Sequence, residues 1–318
     1  MAKKQRKFVD DGWAIWTDGD DICTVYLHDW LNPTGDSYVD LAIRIRNVKV
    51  STRMRVYVPF FIAREEIDDV SLLFNDTKVL QAVFGSACIV DYKKNEFTSE
   101  IAYSGKTVDV VHLSTMEYQL SPLSAGTLID VDLGAVQPFL DNDEAYFVWR
   151  MPHKSLDQLF KSRVGAGSRW SRFRDLITSP MLSEKHGYSV RVNESRQLPE
   201  EITRVGSFYR QKLKKAVVTI SINEEYDLDD DGCYRIRRLE NELYKGYIPK
   251  DYDTEDVILY QWHQSRDSNM QGQFNFYYNI TRDSISGKSM TIYMILLMLL
   301  AVMGEILGDF AKTLLGLQ

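Results

Sequence analysis

The residues of this chain whose types and spacing could do chemistry are mostly basic and aromatic. Lys161, Arg163, Arg169, Trp170, Arg172, Phe173 and Arg174 bring five cations and no acid into fourteen positions. Between them, Gly165-Ala166-Gly167-Ser168 can turn successive backbone N–H groups toward one point, and a following helix would add the positive end of its dipole. Together with arginine forks these are the parts of a phosphate site. Trp170 or Phe173 could then stack on a base. The competing assignment is a solvated helix face whose aromatic residues enter the core.

A second basic run, with Arg204, Tyr209, Arg210, Lys212, Lys214 and Lys215, is free of acids from Ile202 to Lys215. If the two runs face each other they form a cleft for a ligand carrying several phosphates. Otherwise the second run pairs with nearby acids or meets anionic lipid head groups. Arg163, Arg169, Trp170, Arg172, Arg174, Arg210 and Lys212 are the expected ligand-binding residues.

Carboxylates lead less far. Asp227, Asp229, Asp231 and Gly232 match the opening of a calcium loop, in which alternating carboxylates aim at one ion. The twelfth position, where a bidentate Glu belongs, is Arg238. A hairpin turn at Asp231-Gly232 is therefore favoured and no metal is expected. The five histidines, His28, His112, His153, His186 and His263, lack metal-ligand spacing. The sequence has no Gly-rich phosphate loop, nucleophile elbow or HExxH pair, so neither catalysis nor a cofactor is expected.

The C-terminal run from Met290 to Gly304 carries no charge over fifteen residues. At ~1.5 Å per residue it spans about 22 Å, against a hydrocarbon core of ~30 Å. Crossing requires extension toward Leu317, which brings Glu305, Asp309 and Lys312 into or beside the membrane. Gly304 and Gly308 form a GxxxG pair on a small face shared with Ala301 and Ala311, suited to close helix contact. A lone helix in lipid would be destabilised by the polar stripe. Association removes that cost by turning the stripe toward a shared axis or a water-filled pore. In the alternative, the helix ends near Gly304 and the remainder lies at the head groups. Gly304, Glu305, Gly308, Asp309 and Lys312 are the expected pore and oligomerisation residues.

Positioning these groups falls to a strand-rich body. Val39, Leu41, Ile43 and Ile45 alternate with Asp40, Ala42, Arg44 and Arg46, the period-two pattern of a half-buried strand. The opening reads as a meander turning at Asp18-Gly19-Asp20-Asp21, with Trp13, Trp16, Tyr26 and Trp30 packed inside. Glu65 to Phe84 changes to helical spacing, with Asp76 capping a short helix that carries Val79, Leu80 and Val83, a helical insert over one sheet face. Strand signals resume at Ala87–Tyr92, Thr107–Leu113, Thr127–Leu133 and Ala145–Met151. Lys154–Pro180 reads as helical and Gly187–Pro199 as a connector. Glu200–Lys215 reads as a helix running into a strand over Ala216–Asn223. Val257–Gln264 and Gln273–Ile280 are two further strands, and Ser284 to Gly287 is a short hinge.

Composition sets the frame. Across 318 residues, 44% hydrophobic and 26% charged describe a soluble body with a local membrane signal. With 38 basic against 45 acidic residues, the net charge of −7 excludes an unspecific nucleic-acid coat and leaves room for local basic sites. Cys23, Cys88 and Cys233 are odd in number and lack a CxxC, which fits a reducing compartment. Lys3, Lys4, Arg6 and Lys7 have no apolar stretch behind them, so no secretory signal is expected. Arg282 and Lys288 precede the apolar run and only Lys312 follows it, which places the body in the cytoplasm. The expectation is an α+β chain: a strand-rich cytosolic body with helical inserts over residues 1–283, with a sub-boundary near 152. A hinge at 284–289 then leads to one C-terminal transmembrane helix over 290–317, anchored in the inner (cytoplasmic) membrane.

A soluble sensing body joined to a minimal transmembrane unit resembles the membrane effectors of bacterial phage-defence operons, and most of all the channel component of Hailong-type systems. The resemblance is architectural and covers body plus anchor. It implies a homo-oligomeric ion channel in a lipid bilayer, gated by a short single-stranded oligonucleotide that an operon-encoded nucleotidyltransferase makes. The alternatives are a membrane-tethered scaffold without a pore and a tethered hydrolase.

Overall fold

Alternating apolar residues dominate the chain, and a computed structural model resolves them into two sheets. It describes residues 8–32, 35–84, 88–91, 97–103, 105–153, 182–205, 208, 212–228, 232–266, 272–284 and 287–315. The strands are β1 (Phe8–Thr17), β2 (Ile22–Trp30), β3 (Ser37–Arg46), β4 (Arg53–Val58), β5 (Asp68–Asp69), β6 (Cys88–Asp91), β7 (Thr98–Tyr103) and β8 (Lys106–Val111). They continue as β9 (Tyr118–Leu123), β10 (Gly126–Asp132), β11 (Glu144–His153), β12 (Leu182–Val192), β13 (Lys212–Asn223), β14 (Tyr226–Leu228), β15 (Arg235–Arg238), β16 (Val257–Ser265) and β17 (Phe274–Ser284). The described α-helices are α1 (Thr77–Phe84), α2 (Glu200–Thr203), α3 (Asn241–Tyr244) and α4 (Gly287–Leu315). The strand-rich α+β expectation holds.

One sheet runs β14-β17-β12-β1-β4-β10-β9, and the other β15-β16-β13-β2-β3-β11-β8-β7-β6 with β5 beside β11. Their facing sides share one core, in which Trp13, Ile15, Val56 and Ile129 of the first sheet join Val25, Ile43, Phe147, Trp149 and Val218 of the second. A second apolar layer lies on the outer face of the larger sheet. Here Phe74, Val79, Leu80, Tyr244, Tyr247 and Tyr252 cover Trp30, Ala42, Tyr146, Val148 and Leu259. The expected helical insert is therefore real, built from a 3-10 turn over Ser71–Asn75 followed by α1. A strand covered on both faces is buried along its length, as β3 and β11 are.

The chain does not open as a meander. β1 pairs with β12 and β4, whereas β2 pairs with β3 and β13, so the first two strands belong to different sheets. The aspartates between them redirect the chain. Asp18 accepts the backbone N–H groups of Thr52 (2.8 Å) and Arg53 (2.9 Å), and Asp21 accepts the hydroxyls of Thr17 (2.8 Å) and Ser51 (2.5 Å). These bonds tie the turn to the start of β4 and leave β2 to cross over. Trp13, Trp16 and Trp30 are buried as expected, and Tyr26 is only partly covered.

Several local expectations yield to pairing. The stretch expected as a connector holds the second half of β12, flanked by β1 and β17 in the interior of its sheet. The helix expected over Glu200–Lys215 ends at Thr203, and β13 already begins at Lys212. Gly232 does sit in the left-handed region (φ 72°), but β14 pairs with β17 and β15 with β16, so no hairpin joins them. The expected boundary near 152 falls at the end of β11, and both sheets take strands from either side of it. Lys154–Pro180 lies outside the described residues.

The C-terminal helix forms over Gly287–Leu315, beginning inside the expected hinge. Among the described residues no helix is long and apolar enough to cross a membrane. The expected span is thus unsupported, because the charge-free stretch ends at Gly304 and Glu305, Asp309 and Lys312 follow.

Candidate functional site

Strand register places the site. Thr24 of β2 lies between Arg44 of β3 and Lys215 of β13, Tyr26 between Ala42 and Val217, and His28 between Asp40 and Thr219. Across β16 the same rows continue as Ser265, His263 and Gln261. Paired residues share a face, so all of these stand on the outer side of the larger sheet. The apolar cover ends at Val83 and Phe84 of α1, and the uncovered remainder is a cleft of about 500 Å³.

Six basic side chains line it: Arg44 and Arg46 on one flank, Lys214 and Lys215 at the centre, and Arg235 and Arg237 on the other. A register shift between Leu213 and Lys215 inserts one extra residue, which lets both lysines reach the cleft. Among the described residues no carboxylate belongs to the lining. Glu144, opposite Arg46 on β11, accepts Nε of Arg44 (2.8 Å) and of Arg46 (3.1 Å), so one acid holds two guanidinium groups. Arg237 donates to the Ala82 carbonyl (3.2 Å) and lies over the Tyr244 ring. Lys214, Lys215 and Arg235 have no ion pair among the described residues. Basic groups gathered in a cleft favour an anion even on a protein of negative net charge.

A recess of about 70 Å³ opens from the cleft, sharing Tyr26, Val83, Phe84, Arg237 and Gln261 with it. Its deep end is made by His28 and Asp40, and Tyr244 and Tyr247 roof it. His28 stacks on Trp30 (ring centroids 4.1 Å apart), with Nε2 2.7 Å from Ser221 Oγ. Burial pushes its imidazole pKa down to about 3, overcoming the attraction of Asp40, so the ring is neutral at physiological pH. Asp40 is held by Trp30 Nε1 (2.8 Å) and by a bidentate Arg150 (2.6 and 2.8 Å). Burial likewise raises the phenol pKa of Tyr244 and Tyr247, keeping both protonated. The mouth is cationic, and past Arg237 the recess presents the neutral His28, Tyr244, Tyr247 and Gln261 together with an Asp40 carboxylate already paired with Arg150.

The sequence-predicted residues fare unevenly. Arg163, Arg169, Trp170, Arg172, Arg174 and Arg210 lie outside the described residues. Lys212 pairs with Asp20 (2.6 Å) and is not part of the cleft lining, whereas Lys214 and Lys215 of the same run are. Arg204 pairs with Glu200 (2.7 Å), and Arg238, at the failed calcium position, with Glu224 (2.9 Å). No group able to hold a metal ion occurs among the described residues. Gly304, Glu305 and Gly308 are exposed on α4, and a Cβ at either glycine would meet nothing within 4 Å. Asp309 and Lys312 lie on the same helix. The sequence reading missed Arg44, Arg46, Arg235 and Arg237. Their signal was present: two arginines on the polar phase of β3, and the basic strand Arg235-Ile236-Arg237-Arg238.

No family model matches the chain, and no curated protein matches it. Among solved structures, the Fcho1 mu homology domain from Danio rerio with a bound Eps15 peptide aligns over 87% of this chain and 81% of its own. Its TM-score is 0.10 and the identity 7%. A likeness at that level bears on neither fold nor function.

Proposed function

We propose that this protein binds an anionic ligand of the nucleotide or short-oligonucleotide class in the cleft of a cytosolic body. In this reading associated copies of α4 act on the inner membrane, as a homo-oligomeric effector or channel of bacterial anti-phage defence. An operon-encoded nucleotidyltransferase would supply the ligand. The observation that carries the reading is the cleft itself: among the described residues it has six cations, three of them without an ion pair, and no carboxylate in the lining. Arginine forks preset by Glu144 suit phosphate oxygens, because the guanidinium geometry is fixed before the ligand arrives.

The membrane half rests on α4. Every residue from Leu297 to Gly308 is exposed, more than three turns without a covered side. Met298, Leu299, Val302, Met303, Ile306 and Leu307 are each more than half exposed. A helix apolar on all sides needs an apolar surround. With Glu305 and Asp309 in the next turns, lipid alone is a poor surround, and neighbouring copies that turn those carboxylates toward an aqueous axis resolve the conflict.

The test is calorimetric titration of the full chain in detergent with tripolyphosphate and with nucleoside triphosphates at low salt. Binding is expected, weakened at least tenfold by a combined Lys214→Glu, Lys215→Glu and Arg235→Glu variant. Titrations that stay flat for every phosphate compound would sink the ligand reading. Reconstituted into liposomes, the chain should conduct ions, with conductance altered by Glu305→Gln; silent bilayers would remove the channel.

A further inference from the structure

The cleft and its recess differ in chemistry, and a ligand that uses both must differ along its length in the same way. On the measure in which one water needs roughly 10–15 Å³, the recess of about 70 Å³ holds about five waters. Five waters fill roughly 150 Å³ of liquid, the volume of one planar heterocycle. The walls suit such a ring. Tyr26 and Phe84 supply aromatic surface, and Gln261, whose Nε2 donates to Thr219 Oγ1 (3.3 Å), lines the same space as Thr219 and His28. The far end is closed, since Asp40 and Arg150 behind it are 2% and 5% exposed. A chain cannot pass through, so only a terminal ring can enter.

We propose that the recess is a specificity subsite for one uncharged nucleobase-like ring at the end of a phosphorylated ligand. Arg237, which lines both chambers, would take the phosphate nearest that ring. Lys214, Lys215 and Arg235 meet the phosphates beyond it. Past Arg237 the recess offers a second phosphate no free cation and sets the Asp40 carboxylate, already paired with Arg150, against it; burying an uncompensated anion there costs more than any hydrogen bond returns. Aromatic contact and an amide–hydroxyl pair act on the ring instead, and bare polyphosphate forgoes both. This subsite rests on the ligand reading above and adds to it a choice among anions of similar charge.

The experiment compares tripolyphosphate with the four ribonucleoside triphosphates, titrated into the full-length protein without divalent metal. At least one nucleoside triphosphate should bind about tenfold or more tighter than tripolyphosphate, the gain expected of one stacked base. Gln261→Leu and, separately, Thr219→Val should reduce that preference; Thr219→Val, at a residue that lines the recess and not the cleft, should do so without weakening tripolyphosphate, and unchanged urea midpoints would show that both variants fold. If tripolyphosphate binds as tightly as every nucleotide, the subsite is refuted while the anionic cleft stands. If neither class binds, both readings fall together. If nucleotides are preferred but both variants keep the full preference, the ring is read elsewhere and the assignment to this recess is overturned.

Discussion

Removing Arg150 would unmask a buried charge, and the structure sets the scale. Its Nε and Nη2 donate to the two oxygens of Asp40 at 2.6 and 2.8 Å, and Nη2 also donates to the Tyr247 carbonyl at 2.7 Å. The side chains are 6% and 2% exposed. The guanidinium carbon lies 5.1 Å from the Tyr247 ring centre and 5.8 Å from that of Trp30, adding a cation–π contribution of ~0.5–1 kcal/mol. Arg150→Met leaves Asp40 with only the neutral donors Trp30 Nε1 and the Tyr247 hydroxyl among the described residues, a buried carboxylate without a counter-charge worth about 3–5 kcal/mol of destabilisation. At an m-value of ~3 kcal/mol/M, a loss of about 4 kcal/mol lowers the urea midpoint by roughly 1.3 M. Asp40→Leu should cost a similar amount by orphaning Arg150. The double variant should recover most of the loss, since an apolar pair of similar volume is often neutral or stabilising. Equilibrium urea denaturation of all four proteins, followed by tryptophan fluorescence, closes the cycle. A midpoint shift below about 0.3 M for Arg150→Met, or additive losses in the double variant, would refute the view that this pair anchors the floor of the recess.

Two further outcomes follow from local geometry. His28 has its folded pKa lowered to about 3 from 6.5, so its contribution to stability is present above pH 6.5 and lost as pH falls toward 3. Unfolding free energy should decline by up to ~1.4 kcal/mol per pH unit in that window, and His28→Gln should flatten this part of the profile in pH-dependent urea titrations; identical profiles would show that the imidazole does not titrate on unfolding. Gly126 begins β10 against β4, and a Cβ there would stand 2.1 Å from the Val58 carbonyl and 2.9 Å from the Tyr57 hydroxyl. Gly126→Ala should therefore cost about 1–3 kcal/mol as the two strands part, and a variant within 0.5 kcal/mol of the parent would show that the contact relaxes freely.

Elements with a clean local period were legible in the chain alone. β3, β10, β11, β16 and β17 fall within a few residues of their predicted positions, because alternation is written in each strand and one buried face enforces it. β12 was illegible. Its first half reads Leu-Ser-Glu-Lys-His-Gly, and it is held by backbone bonding to β17 on one side and, from Gly187 onward, to β1 on the other. Helical spacing likewise misled over Glu200–Lys215, where β13 gains more by pairing with β2 and β16 than a helix gains from propensity.

The candidate site divides in the same way. Sequence by itself determined that the chain carries two acid-free basic runs, that Lys214 and Lys215 belong to one of them, and that Met290–Gly304 is free of charge. Only the tertiary structure decided which cations meet. Arg44 and Arg46, Lys214 and Lys215, and Arg235 and Arg237 come from three strands spread over nearly two hundred residues, and they share a face because the register between β2, β3, β13 and β16 puts them in phase. A one-residue slip in any of these pairings would turn its side chains into the core, and no local pattern records the register of strands so far apart.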